Sequence, residues 1–168
     1  MGKVKVAGII RESIVDGPGI RFVLFVQGCP HHCPGCHNPQ TWPFQGGSEV
    51  STGWFKPEFK KDPLLSGITL SGGEPFCQPE PLAEIAREAH GCGLDVVTYT
   101  GFTFERLLEK RREDYRISCL LKQTDVLIDG PFVLVQKSLA LTFRGSANQR
   151  VIDVPASLKT GKAVLLGL

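Results

Sequence analysis

The stretch "RFVLFVQGCPHHCPGCHN" (Arg21–Asn38) decides the fold. Its first half is a short β-branched and aromatic run that ends in a glycine, the pattern of a buried strand. Its second half places Cys29, Cys33 and Cys36 directly after that strand. Pro30, Pro34, Gly28 and Gly35 keep the segment from continuing as strand or regular helix, so the three thiols can converge on one centre.

Similar runs recur at "GITLSGG" (Gly67–Gly73), "LDVVTYTG" (Leu94–Gly101) and "TDVLIDGP" (Thr124–Pro131), each closing on a glycine turn. Between them, "PEPLAEIAREAHGCG" carries Leu82, Ile85, Ala86 and Ala89 at helical spacing and stops at Gly91 and Gly93. "TFERLLEKRRED" places Phe104, Leu107 and Leu108 on one face. Strand then helix, repeated, predicts an α/β fold with a parallel sheet. Ligands collect at the carboxyl ends of such strands, where this sequence puts its glycines and cysteines. A full (β/α)8 barrel takes about 200 residues or more. The 168 residues therefore predict one domain with a partial, open barrel. Its open side leaves the site within reach of a large protein loop. Its parts are a cysteine loop at 28–38, a flexible loop at about 43–65 and a tail at about 154–168 whose apolar end, "AVLLGL", is free to dock on the core or on a partner.

Nineteen basic against 17 acidic residues give a net charge of +2, which supplies no broad field for nucleic acid or an anionic membrane. Arg11 and Glu12 interrupt the apolar patch of "MGKVKVAGIIRESIV" before it reaches the length of a secretion signal. No apolar run approaches the roughly 18 residues that span a bilayer. A cytoplasmic protein is expected, in which thiols stay reduced and a dense cysteine cluster points to a metal or catalytic site. Cys77, Cys92 and Cys119 stand singly and read as small buried hydrophobes. Lys110, Arg111 and Arg112, between Glu109 and Glu113, read as a solvated helix face. Trp42 and Trp54 read as packing residues, with contact to a partner as the sharper alternative.

Three chemistries compete for the loop. A structural zinc site needs a fourth ligand, which His37 or His31 can supply, but such sites usually pair two knuckles and no second one exists here. A reactive thiol or redox pair leaves the third cysteine idle. An iron-sulfur cluster held by three thiolates leaves one iron free to bind a substrate.

The longer frame "DGPGIRFVLFVQGCPHHCPGCHN" resembles the glycyl-radical-activating branch of the radical SAM enzymes, with Gly17, Gly19, Arg21, Phe25, Gly28, the three cysteines and Asn38 at that branch's spacing. "SGGEP" (Ser71–Pro75) is similar to the family's GGE motif, and "YTG" (Tyr99–Gly101) follows the next strand. "DVLIDGPF" (Asp125–Phe132) and "RGSANQRVID" (Arg144–Asp153) resemble the activators of the anaerobic ribonucleoside-triphosphate reductase. Those activators share the glycine at position 35, where many radical SAM enzymes carry an aromatic residue.

The resemblance implies that Cys29, Cys33 and Cys36 hold a 4Fe-4S cluster whose free iron chelates S-adenosylmethionine, with Gly35, Cys36, His37, Gly72, Gly73 and Glu74 as cofactor contacts. Glu74 would accept a hydrogen bond from the cofactor's ammonium. Reductive cleavage then yields a 5′-deoxyadenosyl radical that abstracts hydrogen from a glycine. The implied partners are the large glycyl-radical subunit of the reductase and a low-potential electron donor of flavodoxin or ferredoxin type. Other activases, such as that of pyruvate formate-lyase, a small-molecule radical enzyme of the deazapurine-synthase kind, and a non-catalytic zinc module are the alternatives. His31 and His32 are expected as exposed loop residues. Asp16, Arg21, Asp129, Arg144 and Asn148 are open between ligand contacts and charged hydrogen bonds that fix loops.

Overall fold

The computed structural model describes residues 2–168. Seven strands form one sheet in the order β3-β1-β2-β4-β5-β6-β7. β1 spans Lys3–Ser13, β2 Arg21–Val26, β3 Ser48–Ser51, β4 Gly67–Gly72, β5 Asp95–Tyr99, β6 Val126–Asp129 and β7 Arg150–Asp153. The four runs expected as parallel strands are β2, β4, β5 and β6, and they pair in parallel in that spatial order. The all-parallel expectation is corrected at the flanks: β1 is antiparallel to both β2 and β3, and β7 is antiparallel to β6. β3 and β7 end the order without meeting, so the barrel stays open.

The described residues also form five α-helices: α1 (Phe55–Lys60), α2 (Pro79–Gly91), α3 (Phe104–Lys110), α4 (Tyr115–Gln123) and α5 (Val154–Thr160). α2 opens on Pro79, carries Glu80 in its first turn and stops where Gly93 turns left-handed at φ +78°. Its Leu82, Ile85, Ala86 and Ala89 are fully buried, as their spacing predicts. The helix expected over Thr103–Asp114 is shorter, because Thr103 is its cap and the chain turns after Lys110. Asp114 then caps α4, accepting from the Arg116 amide.

Alternation along the strands sorts the two faces of the sheet. Phe22, Leu24, Val26, Ile68, Leu70 and Val96 join the helices in the main core. The opposite face carries Arg21, Thr69 and a small cluster around Val97, Ile128 and Val151. Arg21 is fully buried there, donating to Thr69 Oγ1 and to the Ile68 and Pro18 carbonyls while pairing with Asp95.

The segment at 43–65 is not one loop. It contains β3 and α1, which form because Ser48–Ser51 adds to the edge of β1 and because Phe55 and Phe59 bury against Phe22. The tail begins as α5, capped by Asp153 and closed by Gly161, and its end returns to the sheet through a bridge between Leu165 and Ile152. Cys92 and Cys119 pack partly buried against the core as expected, whereas Cys77 is exposed.

Candidate cofactor site

The carboxyl ends of the parallel strands surround a cavity of about 680 Å³, within the range of a small-molecule site. The cysteine loop forms one wall. It is anchored where the Gly28 amide donates to the Thr41 carbonyl at 2.7 Å and the Cys29 amide to the Trp42 carbonyl at 3.1 Å. A turn brings the Cys36 amide onto the Cys33 carbonyl at 3.1 Å, and the Asn38 amide points at Cys36 Sγ at 3.4 Å. Cys29, Cys33 and Cys36 all line the cavity as free thiols.

Gly72 and Gly73 lie opposite. Gly72 has φ +92°, and a Cβ on it would stand 2.5 Å from the Val26 nitrogen. A Cβ on Gly73 would overlap the Gly28 carbonyl oxygen. The pair thus lines the cavity, but what demands glycine is the protein's own backbone at the end of β2.

Glu74 departs from its expected place. Its side chain is fully buried beneath the cysteine loop and outside the cavity wall. Its oxygens accept from Thr100 Oγ1 at 2.9 Å, the Gly101 amide at 2.8 Å and the Phe76 amide at 2.9 Å, and meet His31 Nε2 at 2.6 Å. A carboxylate engaged by four protein groups has no ready oxygen for a ligand's ammonium. His31 is accordingly not the exposed residue expected. His32 is exposed and stacks on Trp42, the ring planes 10° apart.

Of the other expected contacts, His37 lines the cavity beside Phe132. Gly35 does not; its open side faces Leu134 and Phe132. Among the five undecided residues, Arg21 and Asp129 prove structural. Asp129 is buried, caps α3 through the Phe104 amide and holds Arg150. Asn148 ties the Pro131 carbonyl to Ser146. Asp16 and Arg144 line the cavity. Arg144 reaches only the Thr142 and Gln149 carbonyls, at 3.4 and 3.5 Å, and forms no ion pair among the described residues. It is a cation available to an anionic group in the cavity.

Tyr99 was missed by residue-level reading. Its hydroxyl donates to the Phe143 carbonyl at 2.6 Å and secures the far wall. Burial, with Asp16 nearby, pushes the phenol's pKa up, so the group stays a neutral donor. Burial likewise pushes the Cys29 thiol up. Metal loading must therefore displace a proton there.

The donor set fits an iron-sulfur cluster. Among the described residues no three His, Cys, Asp or Glu side chains stand close enough to share one ion. In a polynuclear cluster each thiolate binds its own iron, and three thiols lining one cavity suit that demand. Trp42, in the same wall, has a buried Nε1 with no acceptor in the protein.

Three free thiols at the mouth of an open β/α sheet are the donor set an iron-sulfur protein needs. The 4Fe-4S single cluster domain matches residues 15–152, and the chain belongs to that family. Within it, the chain is 36% identical over 153 residues to the anaerobic ribonucleoside-triphosphate reductase-activating protein of Salmonella typhi, covering 83% of this chain and 92% of that protein. The protein of the same name from Escherichia coli K12 is 34% identical with the same coverage, and that of Enterobacteria phage T4 is 36% identical over 83% of this chain and 87% of its own. A crystal structure of QueE from Escherichia coli aligns over 60% of this chain and 54% of that one, at 16% identity and a TM-score of 0.47.

Proposed function

We propose that this protein activates an anaerobic ribonucleoside-triphosphate reductase by generating a glycyl radical on its large subunit. The observation that carries the reading is the placement of Cys29, Cys33 and Cys36 on one ligand-sized cavity, in a chain about one-third identical to activating proteins over most of its length. Bound there, a 4Fe-4S cluster and S-adenosylmethionine would supply one-electron cleavage of the sulfonium and hydrogen abstraction from a glycine Cα.

The chain's own residues bind and enclose. The three thiols, once deprotonated, hold the cluster; Gly72 and Gly73 keep the opposite wall thin; His37 bounds the cavity beside the third cysteine; Arg144 offers a cation to the cofactor's carboxylate. Ile14, Val15 and Leu139, at 75%, 71% and 94% exposure, stand among the lining residues. Large apolar side chains left in water beside a cavity suit a polypeptide partner better than a small polar substrate. The electron comes from a low-potential donor of flavodoxin or ferredoxin type. No helix among the described residues is long and apolar enough to cross a membrane, and the reading places the protein with its reductase in the cytoplasm.

The test is electron paramagnetic resonance on anaerobically reconstituted, dithionite-reduced protein, with and without S-adenosylmethionine, then with the reductase. A reduced-cluster signal that changes with the cofactor, followed by a glycyl doublet on the reductase, supports the reading. A cluster signal without the doublet redirects it to another glycyl-radical enzyme. Zinc in place of iron refutes it.

A further inference from the structure

Between Cys29 and Cys33 the chain has few ties of its own. Pro30 and Pro34 lack amide hydrogens, and the His31 and His32 amides turn inward to Cys29. Among the described residues, the only side-chain hydrogen bond from residues 30–35 to another element is that from His31 Nε2 to Glu74.

Three features receive that ring. Glu74 is held at the end of β4 by the Phe76 amide and at the end of β5 by Thr100 and the Gly101 amide, so its position does not depend on His31. Phe102 packs edge-on against the imidazole, centroids 4.6 Å apart. Gly101 leaves room beneath it: a Cβ there would stand 2.7 Å from His31 Nε2. The side chain of His31 is consequently only 16% exposed, although it sits on an irregular loop.

We infer that His31 is a positioning residue, which latches the Cys29–Cys33 segment to the ends of β4 and β5 through Glu74 and so fixes the separation of those two thiols. The inference rests on the cluster reading of the cysteines given above. It also assigns a task to two motifs: the glutamate of "SGGEP" and the glycine of "YTG" are the receiver of the latch. A hydrogen bond to a buried carboxylate is worth about a factor of ten or more in an opening equilibrium. The loop's opening therefore responds to His31 while the sheet does not.

The experiment uses the full chain with His31→Ala, His31→Gln and Gly101→Ala. Hydrogen exchange on the metal-free proteins is followed over residues 29–36, with the amides of β4 and β5 as the control for folding. On the reconstituted proteins, the rate at which a ferrous chelator strips iron and the linewidth of the reduced-cluster resonance are measured. His31→Ala is expected to speed exchange across the loop and iron release about tenfold, with unchanged exchange in β4 and β5 and a broadened resonance. His31→Gln, whose amide can still donate to Glu74, recovers to within about threefold. Gly101→Ala, which displaces the ring without removing it, behaves like His31→Ala.

Parent-like loop exchange in His31→Ala overturns the latch. So does equal loosening of loop and sheet in all three variants, which would make His31 a general fold contact. Failure of the parent chain to take up iron refutes the cluster reading instead, and exchange on the metal-free protein still decides whether the latch exists.

Discussion

Gly73→Ala tests the close approach on which the cavity depends. A Cβ on Gly73 would overlap the Gly28 carbonyl oxygen and stand 2.9 Å from both the Gly28 carbonyl carbon and the Val26 oxygen. All three are backbone atoms, so no rotamer change relieves the clash. The same two oxygens accept hydrogen bonds, Val26 from the Gly73 amide and Gly28 from the Glu74 amide, each at 2.8 Å. Restoring ordinary contact stretches both beyond bonding distance, at about 0.5–1.5 kcal/mol each. Alanine returns about 0.4–1 kcal/mol by stiffening the unfolded chain. The balance is a net loss of about 1–2 kcal/mol, with the displacement falling on the residue before Cys29. Urea denaturation of metal-free protein reads the first effect, and iron content after anaerobic reconstitution reads the second. Gly91→Ala is the control: nothing lies within 4 Å of its added methyl group, so the same chemical change should stabilise there. A Gly73→Ala protein as stable as its parent and fully loaded with iron would refute the reasoning.

Three further outcomes follow from polar side chains outside the cysteine loop. Arg21→Met keeps the volume but removes the donor to the Thr69 hydroxyl, which keeps its own bond to the Asp16 carbonyl, and to the Ile68 and Pro18 carbonyls, and should cost about 2–4 kcal/mol in urea denaturation; an effect under about 0.5 kcal/mol would mean those acceptors find water instead. The Arg150 guanidinium holds the Glu105 carboxyl below its ordinary range, and the Thr52 hydroxyl does the same for Glu84. Both therefore add stability above the unfolded carboxylate value of 4.5 and lose it as pH falls through their lower folded values, so thermal midpoints of the metal-free protein should drop on acidification and drop less in Glu105→Gln. Tyr99→Phe removes the donor to the Phe143 carbonyl and should cost about 1 kcal/mol, with faster hydrogen exchange near residue 143 and none of it in α2.

The parallel centre was legible because successive residues of β2, β4, β5 and β6 are mostly buried whichever face they point to, which favours near-continuous apolar runs, with glycine at each exit. β1 was not expected as a strand, and its one signal is Lys3 and Lys5 alternating with the buried Val4 and Val6. β3 is almost wholly polar, and its strand character comes from pairing with Lys3–Val6 rather than from its own residues. α4 was hidden behind charged neighbours and shows itself chiefly through the Asp114 cap and the buried Ile117, Leu120 and Leu121. In the site, cysteine spacing and the two glycine motifs were readable. The meeting of His31 with Glu74 was not, since 43 residues separate them and only the sheet brings them together.

The glycine motifs gain a different physical meaning once the backbone around them is counted. An irregular loop must still satisfy its polar groups, and this one does so on borrowed partners. Gly28 and Cys29 donate to Thr41 and Trp42, the Gly28 carbonyl accepts from Glu74, and His31 reaches the Glu74 carboxylate. The two bonds to Glu74 require the ends of β4 and β5 to lie against the loop at a distance that Gly73 and Gly101 permit and alanine would not. Absence of side chains at these strand ends thus positions the thiols first. The room left for a cofactor is a consequence of that positioning, since a loop held tightly against its own sheet leaves its cysteines facing the cavity.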